Sequence, residues 1–350
     1  MASVSGSSGE GNQPAPAAGM RIVYVLSADG PDVHFAMTRV SVASLRVSNP
    51  QARIEIVCDE NTDGVSRQAR DPLRDEVDRW FVQDTPPGSP GYRNRFLKTT
   101  LREFLRGSFL YLDGDTFVRA DLSPLFLLDT DVAAARNHSA DAVAGQIWVE
   151  DAETCRRMGW PVGHREYLNG GVIFLADTPE ARAFAGAWHR LWLSSVATTR
   201  GYRDQPALNT ALMETLPRLK VLPHRFNAQI RGNLRVSLDA VIQHYYSSSP
   251  GAPTAAQLLA ERLLAGAPLR HSEIEAMVRR PHPWRHTSWV DGWFASRIAR
   301  KGSLNRADEL WLTGHRFRSA VVRTLGATAF GSRLLEKAQR IERKLRKESD

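Results

Sequence analysis

The sequence predicts an α/β protein built on a mostly parallel sheet, and three observations support that prediction. Apolar, strand-like runs alternate with amphipathic helical segments between residues 21 and 135. Such alternation implies right-handed crossovers and parallel strand pairing. Polar residues follow several of the runs, at the carboxyl ends of the strands, where ligands bind in sheets of this kind. The length of 350 residues is enough for one large domain or two small ones.

The first half of the chain contains the clearest strands. The first, Arg21–Ser27, is a continuous apolar run, as expected for a strand buried on both faces. Further strands are predicted at Arg53–Cys58, Val77–Val82 and Ser108–Leu112. Helical segments are predicted between them, at Val33–Val47 and Phe96–Arg106. The strands end at Ser27–Asp29, Asp59 and Asp113–Asp115, which we therefore expect at one edge of the sheet.

The second half is less regular. A strand-like run at Tyr167–Leu175 contains a glycine pair, which marks a bulge or a close backbone approach. Helices are predicted at Pro179–Leu193 and Asp204–Met213, and a last strand at Ala240–Tyr246. Beyond residue 250 the pattern predicts helices only.

The composition is that of an ordinary soluble globular protein, with 42% hydrophobic and 24% charged residues. The formal net charge of +8 suits anionic partners without choosing among nucleotides, nucleic acid and acidic membranes. Nucleic acid is the poorest of these, because the basic residues are dispersed and no nucleic-acid motif is present. Two cysteines, Cys58 and Cys155, exclude a disulfide framework and indicate a reducing compartment.

Neither a membrane span nor a secretory signal is predicted. The sequence has no apolar run long enough to cross a bilayer as a helix. Residues 1–20 are rich in Ser, Gly, Pro and Ala, lack the basic and apolar regions of a signal, and are predicted to be a disordered tail. We therefore expect a cytoplasmic protein.

The central chemical feature is Asp113-Gly114-Asp115. Two carboxylates separated by one small residue can both reach one hard divalent cation, which prefers oxygen ligands and shares its shell with substrate phosphates. An isolated pair of this kind is more typical of a solvated acidic turn. Here an apolar run, Phe109–Leu112, precedes it and Thr116–Val118 follows, which favours the metal site.

The segment Phe109–Phe126 resembles the D-x-D region of retaining glycosyltransferases related to glycogenin and to the bacterial lipopolysaccharide galactosyl- and glucosyltransferases (glycosyltransferase family 8). Four further segments resemble that family in the same order, namely residues 21–58, Leu168–Leu175, Asp204–Asn209 and Leu222–Asn227. The resemblance implies a GT-A fold, with one Rossmann-like, mostly parallel sheet flanked by helices over residues 21–250. A helical extension over 251–350, ending in a basic helix, would follow.

The resemblance also implies a function and a metal. The chain would move a hexose from a nucleotide sugar, with uracil as the base, to an acceptor hydroxyl on a glycan or lipid-linked molecule. The anomeric configuration would be retained. Asp113, Asp115 and His244 would hold Mn²⁺, or alternatively Mg²⁺. By itself a histidine such as His244 is more often a satisfied residue of the core or of a strand edge than a metal ligand.

The same resemblance assigns the remaining site residues. Contacts to the nucleotide sugar are implied for Ser27, Ala28, Asp29, Lys98, Asn169, Gly170 and Gly171, with Arg95 as a neighbour that could share the task of Lys98. Asp204 and Gln205 would face the sugar ring and its anomeric centre, and are the implied catalytic residues. From its position alone, Asp204 could also cap a helix or interact with its dipole.

One departure from the family concerns the diphosphate. The family follows its metal histidine with a G-x-x-K-P-W stretch whose lysine binds the diphosphate, whereas Tyr-Tyr-Ser-Ser-Ser-Pro follows His244. A Pro-Trp pair occurs only at Pro283-Trp284. Either an insertion separates the two parts, or Arg262 or Arg285 supplies the cation. The same stretch identifies the metal histidine in the family, so its absence weakens the assignment of His244 as that ligand.

Two other classes of protein were weighed against the transferase. A phosphatase with a strand-end D-x-D is disfavoured, because Phe117 stands where such enzymes place Thr or Val. A non-catalytic nucleotide-sugar binding protein remains an alternative, given the missing lysine. The basic segment 332–350 has leucines near helical spacing and could lie on an anionic membrane, pack on the domain or bind a partner.

Overall fold

The computed structural model describes residues 19–69, 71–137, 149–161, 166–229, 240–245 and 255–279. Its strands are β1 (Arg21–Leu26), β2 (Arg53–Cys58), β3 (Arg79–Val82), β4 (Phe109–Leu112), β5 (Thr116–Val118), β6 (Val132–Arg136), β7 (Leu168–Leu175), β8 (Leu219–Leu222), β9 (Ala228–Gln229) and β10 (Ile242–His244). Seven of them form one sheet in the order β3-β2-β1-β4-β7-β6-β8. Only β7 runs antiparallel to its neighbours there, so the predicted mostly parallel sheet is confirmed.

A second, three-stranded sheet that the sequence did not predict has the order β5-β10-β9. Strand β10 pairs antiparallel with β5, and this register sets His244 opposite Thr116. The next residue, Tyr245, donates its backbone amide to the carbonyl of Asp115 at 2.9 Å. The small sheet therefore attaches the end of β10 to the acidic loop between β4 and β5.

The helices are α1 (Val33–Ser48), α2 (Glu60–Ala69), α3 (Pro90–Phe104), α4 (Ser123–Phe126), α5 (Val149–Met158), α6 (Pro179–Thr199), α7 (Gln205–Thr215), α8 (Ala255–Leu264) and α9 (His271–Arg279). Short 3₁₀ turns lie at Pro72–Arg74 and His224–Asn227. Three helices begin at side-chain caps, in which Asp32, Ser89 and Thr178 each accept an amide three residues on. None of the described helices has the length and apolar character needed to cross a membrane.

The core has two layers, one on each face of the main sheet, because successive strand side chains point to opposite faces. Ile22 and Tyr24 of β1 pack in one buried cluster with Leu45 of α1. Val23 packs in the other, with Trp188 of α6 and residues of α3. Helices thus cover both faces of the sheet, as the alternating pattern predicts.

The described part of the predicted extension packs on this domain. Leu259 of α8 and Ile274 of α9 lie in a third buried cluster with Met37 and Val40 of α1. Both segments are helical, as predicted for the residues beyond 250. The predicted boundary at residue 250, the tail 1–18 and the basic segment 332–350 lie outside the described residues.

Several predicted bounds are corrected by local chemistry. The helix predicted from Phe96 begins at Pro90, since Ser89 caps it and proline suits the first helical turn. The helix predicted to end at Leu193 continues to Thr199.

Strand β6 was not predicted, because its sequence, VAAAR, is poor in the β-branched and aromatic residues that are typical of strands.

Candidate active site

The acidic loop lies at the carboxyl edge of the main sheet, directly after β4. The backbone amide of Asp113 donates to the carbonyl of Gly171 in β7 at 2.8 Å, which fixes the start of the loop. A Cβ on Gly114 would lie 2.2 Å from the Thr38 hydroxyl of α1. Glycine is therefore required between the two acids because helix α1 packs directly against the loop.

His244 completes a cluster with the two acids. Its Nε2 lies 3.2 Å from Asp115 Oδ1 and 3.8 Å from Asp113 Oδ2. One ligand atom from each of the three residues can be chosen so that all lie within 4.8 Å of one another. The sequence predicted this trio from family resemblance, and the structure brings its members together.

The orientation of the His244 ring is set by two amides. Asn227 donates its side-chain amide to Asn169 Oδ1 at 2.9 Å, and its own Oδ1 lies 2.9 Å from His244 Nδ1. Because the Asn227 oxygen can only accept, Nδ1 carries a proton whether the ring is charged or neutral, and in the neutral ring the lone pair belongs to Nε2. A second residue that fixes the tautomer in this way is typical of metal-binding histidines.

The donor set fits a divalent cation. Two carboxylates and one neutral imidazole suit Mn²⁺ or Mg²⁺. A Cβ on Gly171 would lie 2.2 Å from His244 Cε1 and 2.8 Å from Asp113 Oδ2. The second glycine of the predicted pair is therefore the position that leaves room for the cluster.

The electrostatics of the cluster favour charged Asp115. Burial favours the neutral carboxyl, but His244 outweighs this and lowers the pKa of Asp115. For His244, burial disfavours the imidazolium, but the Asp115 carboxylate outweighs burial and raises the pKa. Each of these two groups thus stabilises the charged form of the other.

Lys98 of α3 joins this cluster to a third acid. Its Nζ lies 3.4 Å from Asp113 Oδ1 and 3.1 Å from Asp204 Oδ2, and its side chain is only 3% exposed. Arg95, one turn earlier, places Nε 3.0 Å from Asp204 Oδ1. Burial acts to lower the pKa of Arg95, but the nearby acids, Asp204 foremost, together outweigh burial and raise it. Both predicted donor-contacting cations therefore face the implied catalytic acid.

Tyr111 of β4 is a member of the site that the sequence analysis missed. Its hydroxyl donates to Asp113 Oδ1 at 2.5 Å, and its ring lies 4.9 Å from Lys98 Nζ. Burial, reinforced by the Asp113 charge, raises the pKa of Tyr111 well above its usual value. Tyr111 therefore stays protonated and holds one oxygen of Asp113 in place.

Asp204 does not cap helix α7. It stands at the N-cap position but has helical dihedrals (φ −92°, ψ −19°), and its side chain makes no capping hydrogen bond. Its backbone carbonyl instead accepts from Trp188 Nε1 at 3.0 Å, and its carboxylate pairs with the two cations of α3. The side chain is directed at the site.

The remaining predicted sugar-contacting residues lie beside Asp204. The side-chain oxygen of Gln205 accepts from Asn169 Nδ2 at 3.3 Å and from the Gly170 amide at 3.4 Å. A Cβ on Gly170 would lie 3.4 Å from Lys98 Nζ and 3.6 Å from Asp204 Oδ2. A side chain at position 170 would thus contact the charged groups, and glycine leaves that space open.

The predicted nucleotide-contacting residues follow the neighbouring strand β1. Thr62 Oγ1 accepts from the Ala28 amide at 2.8 Å, and Arg93 pairs with Asp29 at 2.6 Å and with Asp59 at 3.1 Å. Ser27 is 8% exposed, and its hydroxyl has no hydrogen-bond partner among the described residues. Arg93, which fixes this loop, was missed because it lies on a helix with other basic residues.

The missing diphosphate lysine has no identified replacement. Arg262 lies on α8 and pairs with Glu273 of α9 at 2.7 Å, with half of its side chain exposed. Arg285 lies outside the described residues. Among the lysines and arginines that the structure describes, Lys98 and Arg95 are the ones paired with Asp113 or Asp204.

No protein-family model matches the sequence, and no curated protein matches it. The structure is similar to galactosyltransferase LgtC in complex with donor and acceptor sugar analogues (18% identity, TM-score 0.45, covering 74% of this chain and 96% of that one). It is also similar to mouse xyloside xylosyltransferase 1, with 16% identity and a TM-score of 0.45 over 66% of this chain and 99% of that one. A third similar structure is glycosyltransferase GlyE of Streptococcus pneumoniae, with 18% identity and a TM-score of 0.46 over 74% of this chain and 62% of that one.

Proposed function

We propose that the chain is a divalent-metal-dependent glycosyltransferase that moves a hexose from a nucleotide-diphosphate sugar to an acceptor hydroxyl. One observation carries the proposal. Lys98 is buried and lies between the Asp113–Asp115–His244 cluster and Asp204. The cluster and this further acid therefore share one edge of the sheet. A sugar diphosphate presents the complementary charges, an anionic diphosphate and a sugar carbon that becomes cationic as the bond breaks.

The proposed chemistry assigns different tasks to the two halves of the site. A divalent ion held by the trio would offset charge on the departing diphosphate. Asp204 and the Gln205 amide oxygen face the developing positive charge on the sugar, while Lys98 and Arg95 hold the Asp204 carboxylate in place. Retention of configuration and a uracil base are proposed from the family resemblance, as is a glycan or lipid-linked acceptor.

The remaining roles follow from position. Ser27, Ala28 and Asp29 follow β1, which neighbours β4, so we assign them to the nucleoside beside the diphosphate. Asn169, Gly170 and Gly171 bring backbone close to Lys98, Asp204 and His244, and we assign them to the sugar. The catalytic domain would span residues 21–250, and residues 251–350 would form the extension.

A panel of nucleotide-diphosphate sugars tests the proposal, with nucleoside diphosphate release measured in Mn²⁺, in Mg²⁺ and in a chelator. We expect release with at least one donor, dependent on the metal. Asp113→Ala should lower it by about 100-fold or more while the circular dichroism spectrum and melting temperature stay close to wild type. Asp129→Ala, which removes a 91% exposed acid away from the loop, should leave it unchanged.

Two results would refute the proposal. One is release that continues at full rate in chelator. The other is an Asp113→Ala variant that is folded and as active as Asp129→Ala.

A further inference from the structure

We infer that Asp151 of α5, held by Arg203, is a positioning residue that sets which end of the Gln205 amide faces the sugar. The inference rests on the proposed transferase function and deepens it. Neither Asp151 nor Arg203 belongs to the segments that resemble the family or to the residues assigned above.

The Asp151 carboxylate is buried and its oxygens have distinct partners. It is 1% exposed, and Oδ2 accepts from the Tyr167 hydroxyl at 3.0 Å and from Gln205 Nε2 at 3.3 Å. Oδ1 accepts from Arg203 Nη1 at 3.1 Å. A buried carboxylate without partners would be costly, so these three donors account for its presence there.

The other end of the Gln205 amide is fixed by donors alone. Its Oε1 accepts from the backbone amide of Gly170 and from the side-chain amide of Asn169. A carboxylate can only accept and a backbone amide can only donate. Turning the amide over would set its NH₂ against the Gly170 N–H and its oxygen against the Asp151 carboxylate, so Asp151 at one end and the Gly170 amide at the other select the same orientation.

That orientation matters for the proposed chemistry. The amide oxygen, at the negative end of the group dipole, is directed to the Gly170 side of the site, next to Asp204 and Lys98. A negative dipole end stabilises a cationic sugar centre, whereas an NH₂ group there would oppose it. Asp151 thus acts on the reaction through Gln205 without touching the substrate.

The same amides connect Gln205 to the cation cluster. Asn169 donates to Gln205 Oε1 and accepts from Asn227, whose oxygen orients His244. A continuous series of hydrogen bonds therefore runs from Asp151 to the metal-binding histidine. Because every amide oxygen in the series faces donors, reversing a single amide would set donor against donor or acceptor against acceptor.

The charge on Asp151 has to be maintained for this role. Burial raises the pKa of Asp151, and the Arg203 charge and the Tyr167 hydroxyl act in the opposite direction, while Asp204 adds to the rise. The nearby Cys155 thiol is neutral, since burial raises its pKa to about 11. A protonated Asp151 could donate as well as accept and would no longer select the orientation of Gln205.

A double-mutant cycle tests the inference, using the donor that gives the best wild-type release. Asp151→Ala should lower kcat about 10- to 100-fold with little change in donor KM, because Gln205 is misplaced and the donor contacts remain. Added to Gln205→Ala, the same change should lower kcat by less than about twofold, since the residue it acts through is gone. Equal losses in both backgrounds would overturn the inference and show a structural role.

A second variant keeps the inference testable if Asp151→Ala does not fold. Arg203→Met removes a half-exposed side chain, so folding should be retained. Without the Arg203 charge the pKa of Asp151 rises further, so the acid limb of the kcat profile should move to higher pH. Arg190→Met, which removes a comparably exposed arginine paired with Glu214, is the matched control and should leave the profile in place.

The outcomes separate this inference from the proposed function. If wild type releases nothing from any donor, the transferase proposal itself fails. If wild type is active but the Arg203→Met and Arg190→Met profiles coincide, only the role of Asp151 is refuted.

Discussion

The two edges of the main sheet both carry acids, but they use them differently. At the amino edge, Asp131 precedes β6 and is fully buried. Its oxygens accept from the Arg218 backbone amide at 2.8 Å, from the Arg218 guanidinium and from the Thr178 hydroxyl. At the carboxyl edge, Asp113 and Asp115 keep 21% and 26% of their side chains exposed, and like charges are held close together.

The difference separates structural from functional charge. The chain itself satisfies Asp131, so its charge contributes to stability and has nothing left to offer a ligand. The pair at the carboxyl edge lies beside an oriented histidine and beside a glycine that leaves room for the cluster, and both carboxylates stay partly exposed to a ligand. We therefore expect changes at the carboxyl edge to abolish activity and changes at the amino edge to reduce stability.

The largest effect that would sharpen this comparison is expected from Gly171→Ala. The new Cβ would lie 2.2 Å from His244 Cε1, so the ring has to leave its position beside the acids. We expect metal-dependent turnover to fall about 100-fold or more. Gly186→Ala in α6 is the control, because its Cβ meets open space, and it should leave turnover unchanged and stabilise the fold by about 0.5–1 kcal/mol.

Turnover and the apparent affinity for Mn²⁺ would be measured for both glycine variants, with melting temperatures to monitor folding. If Gly171→Ala kept wild-type turnover, the position of His244 beside the two acids would not matter for activity. The carboxyl edge would then not differ from the amino edge in the way proposed.

At the amino edge, Asp131→Asn is expected to act on stability alone. The substitution keeps the size of the side chain but removes its charge and at least one acceptor, leaving a partner of the buried group unpaired. Loss of charged hydrogen bonds of this kind costs about 2 kcal/mol. Urea denaturation would measure the free energy of unfolding, and the kcat of the folded fraction should match wild type. A loss of kcat without a loss of stability would contradict the division between the two edges.

The parts of the fold that could be predicted are those that local pattern determines. Strands β1, β2 and β4 are mostly apolar runs that are buried along nearly their whole length, which favours a strand in the centre of a sheet. Strands β6 and β8 could not be predicted, because VAAAR and LKVL have weak strand signals and are fixed by pairing with each other across the sheet. Tertiary pairing overrode propensity at that edge.

The site shows the same limit. Asp113, Asp115 and His244 were predicted through family resemblance, and the fold brings them together across more than a hundred residues of sequence. Tyr111 and Asp151 were missed, since a tyrosine in an apolar strand and an acid in a polar helix read as ordinary residues. They are recognised as site residues only by the hydrogen-bond partners of their side chains, Asp113 for Tyr111 and Gln205 for Asp151. The sequence alone does not reveal these contacts.

The smallest expected effect concerns the pH dependence of stability at the amino edge. Burial favours neutral Asp131, but Arg218 outweighs burial, so the pKa of Asp131 is lower folded than unfolded. A lowered pKa stabilises the fold above about pH 4, and that contribution is lost as the pH falls further. The pKa values of Asp63, Asp78 and Asp177 are lowered too. Wild type and Asp131→Asn should therefore both lose stability as the pH falls.

The informative quantity is therefore the difference in unfolding free energy between wild type and Asp131→Asn, measured in urea at intervals from pH 6 to pH 3. That difference should shrink from about 2 kcal/mol towards zero, because wild type loses the charge that the variant never had. A difference that stays constant over this range would show that the Asp131 contribution comes from packing and neutral hydrogen bonds. The amino edge would then no longer be an example of charge used for stability.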